Sequence, residues 1–107
     1  MSGTLERIRE LVGAGTVRIS NHGYDELASD ELFAGEVLSG LASAKLVEDY
    51  PNHGKGPCVL VLQADAQDRP IHVVWGIPKG QTEPAVLVTA HRPDKNLWEN
   101  DFLRRRP

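Results

Sequence analysis

Two histidines lie inside runs that otherwise have the composition of buried β-strands. His72 is part of IHVVWG, and His91 ends VLVTAH. Imidazoles titrate near neutral pH, so two of them can share the acid and base roles in RNA cleavage through a cyclic phosphate. Glu48 and Tyr50, in a third apolar run, could assist by transferring a proton or orienting a ring. The candidate catalytic set is therefore His72, His91, Tyr50 and Glu48.

These side chains can share a site only if their strands are neighbours in a sheet. Four short segments rich in β-branched residues are joined by connections too short for parallel crossovers, which predicts an antiparallel meander. Alternation then places both histidines, Glu48 and Tyr50 on one face, and Trp75 on the other. The four segments are Ala44–Tyr50, Pro57–Ala64, Arg69–Ile77 and Pro84–His91.

The two predicted faces differ in polarity, so we expect the helices on the apolar one. Cys58 is expected there too, as a small core residue. A shift of one residue in register would invert any of these assignments. The apolar face is predicted to hold Leu60, Leu62, Ile71, Val73, Trp75, Val86, Val88 and Ala90, and the histidine face Val59, Val61, Gln63 and Thr89.

Helical periodicity precedes the meander. Leu5, Ile8 and Leu11 recur on one side of a helix that Gly13 and Gly15 should end. Further elements are a strand at Val17–Ile19 and helices at His22–Ala28 (capped by Ser20 or Asn21) and Leu32–Leu41 (capped by Asp30). A last helical piece, capped by Asp94, is predicted to hold Leu97, Trp98, Phe102 and Leu103. The pattern predicts a single α+β domain over 1–107, with N-terminal helices packed on one face of a four- to five-stranded antiparallel sheet.

Composition narrows the function classes. The 107 residues are 40% hydrophobic and carry a net charge of −3, which does not suggest nonspecific binding to nucleic acid. A single cysteine excludes an intramolecular disulfide and fits a reducing cytosol. We see no secretory signal and no apolar run of membrane-spanning length, so the expected location is cytoplasmic.

Several residues have both a functional and a structural interpretation. A zinc site of His22, His72, His91 and Glu48 is conceivable, but the local ligand spacing of known zinc motifs is missing. His53 lies in a turn, HGKG, that we interpret as solvated. The cationic residues near the C-terminus, Arg92 and Arg104–Arg106, are either a phosphate-binding edge or, for the last three, a frayed tail. Trp75 and Trp98 are most simply core and docking residues.

The order of these segments and several local phrases together resemble the family called domain of unknown function 4258. That family is similar to the RelE/ParE-like toxin superfamily. The resemblance implies helices on a twisted antiparallel sheet and the toxin role in a toxin–antitoxin pair, where many members are ribosome-associated mRNA endonucleases. The matching phrases are Leu5–Leu11, Ile19–His22, Glu48–Pro51, Arg69–Val74, Val86–Ala90, Arg92–Asp94, Trp98 and Arg104–Arg105.

The chain departs from the family pattern after His22. Arginines usually follow that histidine, whereas Asp25, Glu26, Asp30 and Glu31 occur here. Metal-free cleavage of RNA needs cations to hold phosphate and stabilise developing charge. The acidic replacements therefore weaken the nuclease interpretation.

Two function hypotheses result. The first is a RelE-like toxin-type mRNA endonuclease without metal or cofactor, with RNA or the ribosome as target and a small antitoxin protein as partner. In it His22, Arg92, Arg104 and Arg105 contact phosphate. The alternative is a non-catalytic protein-interaction module of the same fold that has lost the RNA-cleaving arginines.

Overall fold

The computed structural model describes residues 2–107 and folds them into three α-helices, one 3₁₀ turn and five strands. The predicted α+β class is confirmed. No helix in this described part of the chain is both long enough and apolar enough to cross a membrane. The elements are α1 (Gly3–Gly13), β1 (Val17–Ile19), α2 (Asn21–Ser29), α3 (Ala34–Gly40), the turn Leu41–Ser43, β2 (Lys45–Tyr50), β3 (Cys58–Ala64), β4 (Pro70–Gly76) and β5 (Ala85–His91).

The five strands form one mixed sheet in the order β1-β5-β4-β3-β2. The last four strands are the predicted antiparallel meander. β1, however, pairs in parallel with β5, with Val17 opposite Ala85 and Ile19 opposite Leu87. The prediction of a purely antiparallel sheet is therefore wrong. No hairpin constrains the direction of β1, because its partner strand lies far away in the sequence.

Serine caps begin the first two helices. The Ser2 side chain accepts a hydrogen bond from the backbone N–H three residues on at 3.1 Å, and Ser20 accepts one from Gly23 at 2.9 Å. Ser20 also donates to the Val88 carbonyl at 3.0 Å, which fixes α2 against β5. Gly23 allows this close approach, since a Cβ there would lie 2.7 Å from the Leu87 carbonyl oxygen.

Asp30 does not cap the third helix. α3 begins at Ala34 rather than Leu32, and Phe33 occupies the N-cap position without a side-chain hydrogen bond to the helix. The Asp30 carboxylate instead accepts a hydrogen bond from the backbone N–H of Arg92 at 2.8 Å. The predicted cap is wrong because this carboxylate ties the end of α2 to the end of β5.

The residues after Pro93, numbers 94–106, are called the C-terminal segment below, and they do not form the predicted helix. They form turns, and Trp98 pairs with Arg105 through an isolated antiparallel bridge. The Arg106 N–H donates to the Leu97 carbonyl at 2.9 Å, so the end of the chain is anchored rather than frayed. Trp98 and Phe102 pack against His72 of the sheet, whereas Leu97 is exposed.

The helices cover one face of the sheet, called the inner face below. Trp75 is fully buried there, and its indole N–H donates to Gln63 Oε1 at 3.0 Å. The Gln63 amide donates in turn to the Val37 carbonyl of α3 at 2.7 Å. The prediction that Trp75 points toward the helices is confirmed, but Gln63 lies beside it and not with the histidines.

β3 presents the opposite face from the one predicted. Ala64 pairs with Pro70 rather than Arg69, because the backbones of Asp65 and Arg69 pair at 3.0 Å and leave a three-residue loop. Asp68 completes this loop with a φ of 62°. A one-residue change of register exchanges the faces. Val59, Val61 and Gln63 therefore face the helices, whereas Cys58, Leu60 and Leu62 face outward.

An irregularity in β5 corrects a second assignment. Val74 pairs with Thr89 but Trp75 pairs with Leu87, so Val88 is an extra residue between them. As a result, Leu87 and Ala85 enter the core, while Val86 and Val88 line the opposite, outer face. Ala90 and Thr89 lie beyond the irregularity and keep the faces that alternation predicted.

Candidate functional site

The outer face of the sheet carries both strand histidines. His72 and His91 are register partners on β4 and β5, and their ring centroids lie 6.0 Å apart with the planes nearly perpendicular. Glu48 and Tyr50 of β2 line the same groove, whose volume is about 480 Å³. The structure thus brings the four candidate catalytic side chains to one groove, and their catalytic role stays a prediction.

His72 is completely buried beneath the C-terminal segment. Its Nε2 lies 2.8 Å from the Phe102 carbonyl oxygen, so this nitrogen carries the proton and donates it. The ring meets Trp98 edge-on, with centroids 4.4 Å apart. Nδ1 is then a bare acceptor, buried and without a hydrogen-bond partner among residues 2–107. Neither ring nitrogen is accessible to a substrate in this conformation.

Burial also determines the charge of His72. Desolvation is the main cause that lowers the pKa of His72, and the nearby His91 acts in the same direction. The hydrogen bond to the Phe102 carbonyl opposes them by favouring the protonated ring. The net lowering favours a neutral imidazole, as the hydrophobic surroundings require.

Glu48 fastens the C-terminal segment to β2. Its carboxylate accepts two hydrogen bonds from Arg105, at 2.8 and 3.1 Å, and one from the Tyr50 hydroxyl at 2.7 Å. The Arg105 hydrogen bond lowers the pKa of Glu48, and the bond to Glu48 raises the pKa of Tyr50. The Arg105 guanidinium also lies 4.6 Å from the centroid of Trp98, a cation–π contact. These groups are already paired with one another.

We call this part of the outer face the covered half. It comprises His72 and His91 on the sheet, the three residues of the C-terminal segment that lie over or beside them, and the two β2 side chains that hold the segment. In full these are Glu48, Tyr50, His72, His91, Trp98, Phe102 and Arg105.

Arg92 belongs to a separate network at the start of β4, beside Pro70. Its guanidinium donates to Asp65 at 2.7 Å and to the Pro70 carbonyl at 3.1 Å. Asp65 also accepts from the side chain of Arg69 at 3.1 Å. Hydrogen bonds from the Arg69 backbone and from Arg92 hold the pKa of Asp65 far below its usual range. The Arg92 guanidinium thus closes the β3–β4 turn, and a carboxylate occupies the position that a phosphate would take.

The other predicted contacts do not converge on the histidine pair. His22 is exposed on α2, where its Nε2 lies 3.3 Å from a Glu26 oxygen, and it is not among the residues that line the groove. Arg104 is exposed, and its carbonyl accepts from the Glu99 N–H at 2.8 Å. Within residues 2–107, no three histidine, cysteine or acidic side chains are grouped closely enough to hold a metal ion. The alternative zinc set is therefore not assembled.

A second groove of about 390 Å³ on the outer face, called the open half below, adjoins the histidine groove and shares His53, Cys58 and Val74 with it. Cys58, Val74 and Val88 are partly exposed on its floor, and burial raises the pKa of the Cys58 thiol. The prediction that Cys58 faces the apolar core is wrong, because of the register of β3. The groove is lined by Arg18, His53, Lys55, Gly56, Cys58, Val74, Gly76, Ile77, Pro78, Val86 and Val88.

Sequence reasoning missed the open half for two reasons. Arg18 arrives there through the parallel pairing of β1, which no local pattern indicates. Lys55 and His53 lie in a turn that we interpreted as solvated. The signal present in the sequence was Gly56 within HGKG. In the structure its φ is 118° and a Cβ would have no space, because the turn packs against the β4–β5 connection.

One family comparison gives a match. The family model described as "Domain of unknown function (DUF4258)" matches residues 19–92. This span includes β2 to β5 and only the last residue of β1, so Arg18 and the C-terminal segment lie outside it. No curated protein and no solved structure matches the chain. Because the matched span exceeds half of its length, the chain belongs to the family of domain of unknown function 4258.

Proposed function

We propose that this protein is a non-catalytic protein-interaction module that has a RelE/ParE-like fold. The observation that carries the proposal is the state of His72. Its ring is fully buried, and Nε2 is committed to the Phe102 carbonyl. A general acid or base must reach the proton that it transfers, directly or through one water. Such a histidine stabilises the attachment of the C-terminal segment and is not placed for catalysis.

The cations argue in the same direction. A metal-free ribonuclease needs guanidinium or ammonium groups that are free to meet phosphate. Arg105 already forms a two-bonded ion pair with Glu48, and Arg92 is bonded to Asp65. Binding of phosphate by either arginine would first have to break an existing charge-assisted pair. Protein binding makes no such demand on these residues.

The test combines partner capture with an activity assay. Affinity-tagged protein expressed in its native host is expected to co-purify with one protein in stoichiometric amount. The same preparation, incubated with RNA and ribosomes, is expected to give no cleavage above a blank. The control is His72→Ala/His91→Ala protein, with folding checked by circular dichroism. Cleavage by the native protein that this double variant lacks would overturn the proposal.

An endonuclease is the second candidate, and one observation favours it. The two histidine rings lie 6.0 Å apart, close enough to act on one substrate if the C-terminal segment moved away. Trp98→Ala protein, which lacks the ring that lies against His72 but keeps every candidate catalytic and phosphate-contacting residue, provides the test, with folding checked by circular dichroism. RNA cleavage by this variant, lost again when His91→Ala is added, would establish a masked nuclease. Its absence supports the non-catalytic proposal.

A further inference from the structure

The open half differs from ordinary protein surface in its floor. Val74 and Val88 are partly exposed there, and the small residues Cys58 and Gly76 also line it. The lining is mainly aliphatic, and its volume of about 390 Å³ is enough for one or two apolar side chains of another protein. An exposed apolar surface of this kind is typical of a site that a partner protein covers.

The edge of the same groove is basic. Arg18 projects from β1, and Lys55 lies in the β2–β3 turn; neither side chain has a hydrogen-bond or ion-pair partner among residues 2–107. His53 accepts the Lys55 backbone N–H on Nδ1 at 3.3 Å, which leaves Nε2 as a donor in the neutral ring. No carboxylate is among the groove-lining residues of the described chain. This concentration of positive charge contrasts with the net charge of −3.

The basic edge is held in place and is not simply a mobile loop. A Cβ at Gly56 would lie 2.1 Å from the Ile77 carbonyl oxygen, so the turn packs directly on the β4–β5 connection. The Lys79 N–H donates to the Lys55 carbonyl at 3.1 Å, and the Ile77 N–H donates to the Pro57 carbonyl at 3.0 Å. Lys55 is thus presented from a fixed backbone, which lowers the entropy lost when it meets a partner.

Charge and floor together select the occupant. Arg18 and Lys55 favour a partner that carries negative charge. The exposed side chains of Val74 and Val88 favour a partner that also has an apolar group. Single-stranded nucleic acid would meet the first requirement, but its successive bases stack mainly on aromatic side chains, and Arg18 is the one guanidinium among the described residues that line this groove. Among the described residues, no phenylalanine, tyrosine or tryptophan lines this groove. An acidic protein segment with an aliphatic or aromatic anchor satisfies both requirements.

We infer that the open half binds an acidic segment of a partner protein, whose apolar anchor inserts between Val74 and Val88 while flanking carboxylates meet Arg18 and Lys55. This rests on the proposed function and adds the chemistry of the partner. The covered half has no part in it.

Titration of ¹⁵N-labelled full-length protein with defined peptides tests this inference. The probes are short acidic peptides with a central Leu, Ile or Phe, together with the same peptides in which Asn and Gln replace the acidic residues. We expect amide shifts at Arg18, Lys55, Val74 and Val88. Because exposed charge pairs contribute modestly, the uncharged peptides should bind roughly tenfold more weakly.

Matched charge reversals locate the site. Arg18→Glu/Lys55→Glu should weaken binding of the acidic peptides by about tenfold or more, since it turns attraction into repulsion. Lys45→Glu/Lys95→Glu changes the net charge by the same amount at positions outside the groove. It should change the affinity by less than about twofold, because salt screens charges that lie far from the bound peptide. Both variants should keep the native spectrum elsewhere.

The inference is overturned if no acidic peptide shifts the groove amides, if the two double variants weaken binding equally, or if a uridine oligonucleotide binds the groove more tightly than every peptide. These outcomes differ from failure of the proposed function. RNA cleavage would remove the non-catalytic proposal, whereas a stoichiometric partner that the Arg18→Glu/Lys55→Glu variant still captures would leave that proposal and remove only this site.

Discussion

The covered and open halves of the outer face share strands β4 and β5 but use their polar groups in opposite ways. In the covered half, Glu48, Tyr50 and Arg105 are bonded to one another, and His72 is bonded to a carbonyl. In the open half, Arg18 and Lys55 have no partner within residues 2–107 and stand beside exposed aliphatic groups. A dense group of catalytic residue types is therefore weaker evidence of a site than a few cations whose bonding capacity is unused.

Removal of Trp98 should have the largest effect, because it tests whether the covered half is structural. This ring is only 5% exposed and contacts both His72 and Arg105. Trp98→Ala should lower the free energy of unfolding by about 3 kcal/mol, as expected for the loss of a buried aromatic side chain. Urea denaturation measures the change.

The control for that experiment is the neighbouring residue. Leu97 is 60% exposed, so Leu97→Ala should change the free energy of unfolding by less than about 0.5 kcal/mol. If the two variants were equally stable, the C-terminal segment would contribute nothing to the fold. The covered half would then be a masked site and not a structural contact.

The second prediction concerns pH. Burial lowers the pKa of His72, so the unfolded chain takes up a proton more readily than the folded protein does. The contribution of His72 to stability is therefore complete above about pH 6.5 and decreases as the pH falls below that value. One histidine can produce a slope of at most about 1.4 kcal/mol per pH unit. Urea denaturation between pH 7 and pH 5 measures this slope.

His72→Gln isolates the contribution of that one group. The glutamine amide can still donate to the Phe102 carbonyl but does not titrate. The variant should therefore lose most of the slope between pH 7 and pH 5. The lowered pKa of Glu48 has its effect at more acidic pH, because a carboxylate with a lowered pKa loses its contribution only below its ordinary range. An unchanged slope would mean that His72 titrates freely and is accessible.

The ion pair between Glu48 and Arg105 should contribute less. The Arg105 side chain is 60% exposed, so water screens most of the attraction. Glu48→Gln should cost about 0.5–1 kcal/mol of unfolding free energy, and less at high salt. Asp49→Asn, a neutralisation of the exposed neighbouring residue, is the matched control and should be nearly silent. Equal effects of both changes would show that net charge matters here and not the pairing.

The sequence predictions were correct where local alternation determines the structure and wrong where contacts between distant residues determine it. The opposite orientations of Trp75 and His72 follow from alternation alone, and they are confirmed. The face of β3 depended on the size of one loop, which Asp65 sets by accepting the N–H groups of Gln67 and Arg69. Propensity scales do not account for such a side chain, because Asp65 both sets the length of the loop and binds Arg92, the residue that follows β5.

The candidate site shows the same dependence on long-range contacts. The grouping of His72, His91, Glu48 and Tyr50 was predicted, whereas their accessibility was not. Burial of His72 depends on Phe102 and Trp98, and these residues were assigned to a helix because their spacing is compatible with one. A segment that forms a few turns is stabilised mainly by what it contacts, and the sequence does not identify that contact.

We expect the smallest effects on stability from substitution of Arg18 and Lys55, the two residues proposed to bind the partner. Arg18→Ala and Lys55→Ala should each change the free energy of unfolding by less than about 0.5 kcal/mol, because both side chains are exposed and have no partner within residues 2–107. Thermal and urea unfolding are the measurements. A loss comparable to that of Glu48→Gln would mean that these cations support the fold, and the open half would then resemble the covered half. If stability is unchanged while acidic peptides bind more weakly, the two halves of one sheet face have separate roles: the first holds the chain together, and the second is free to hold a partner.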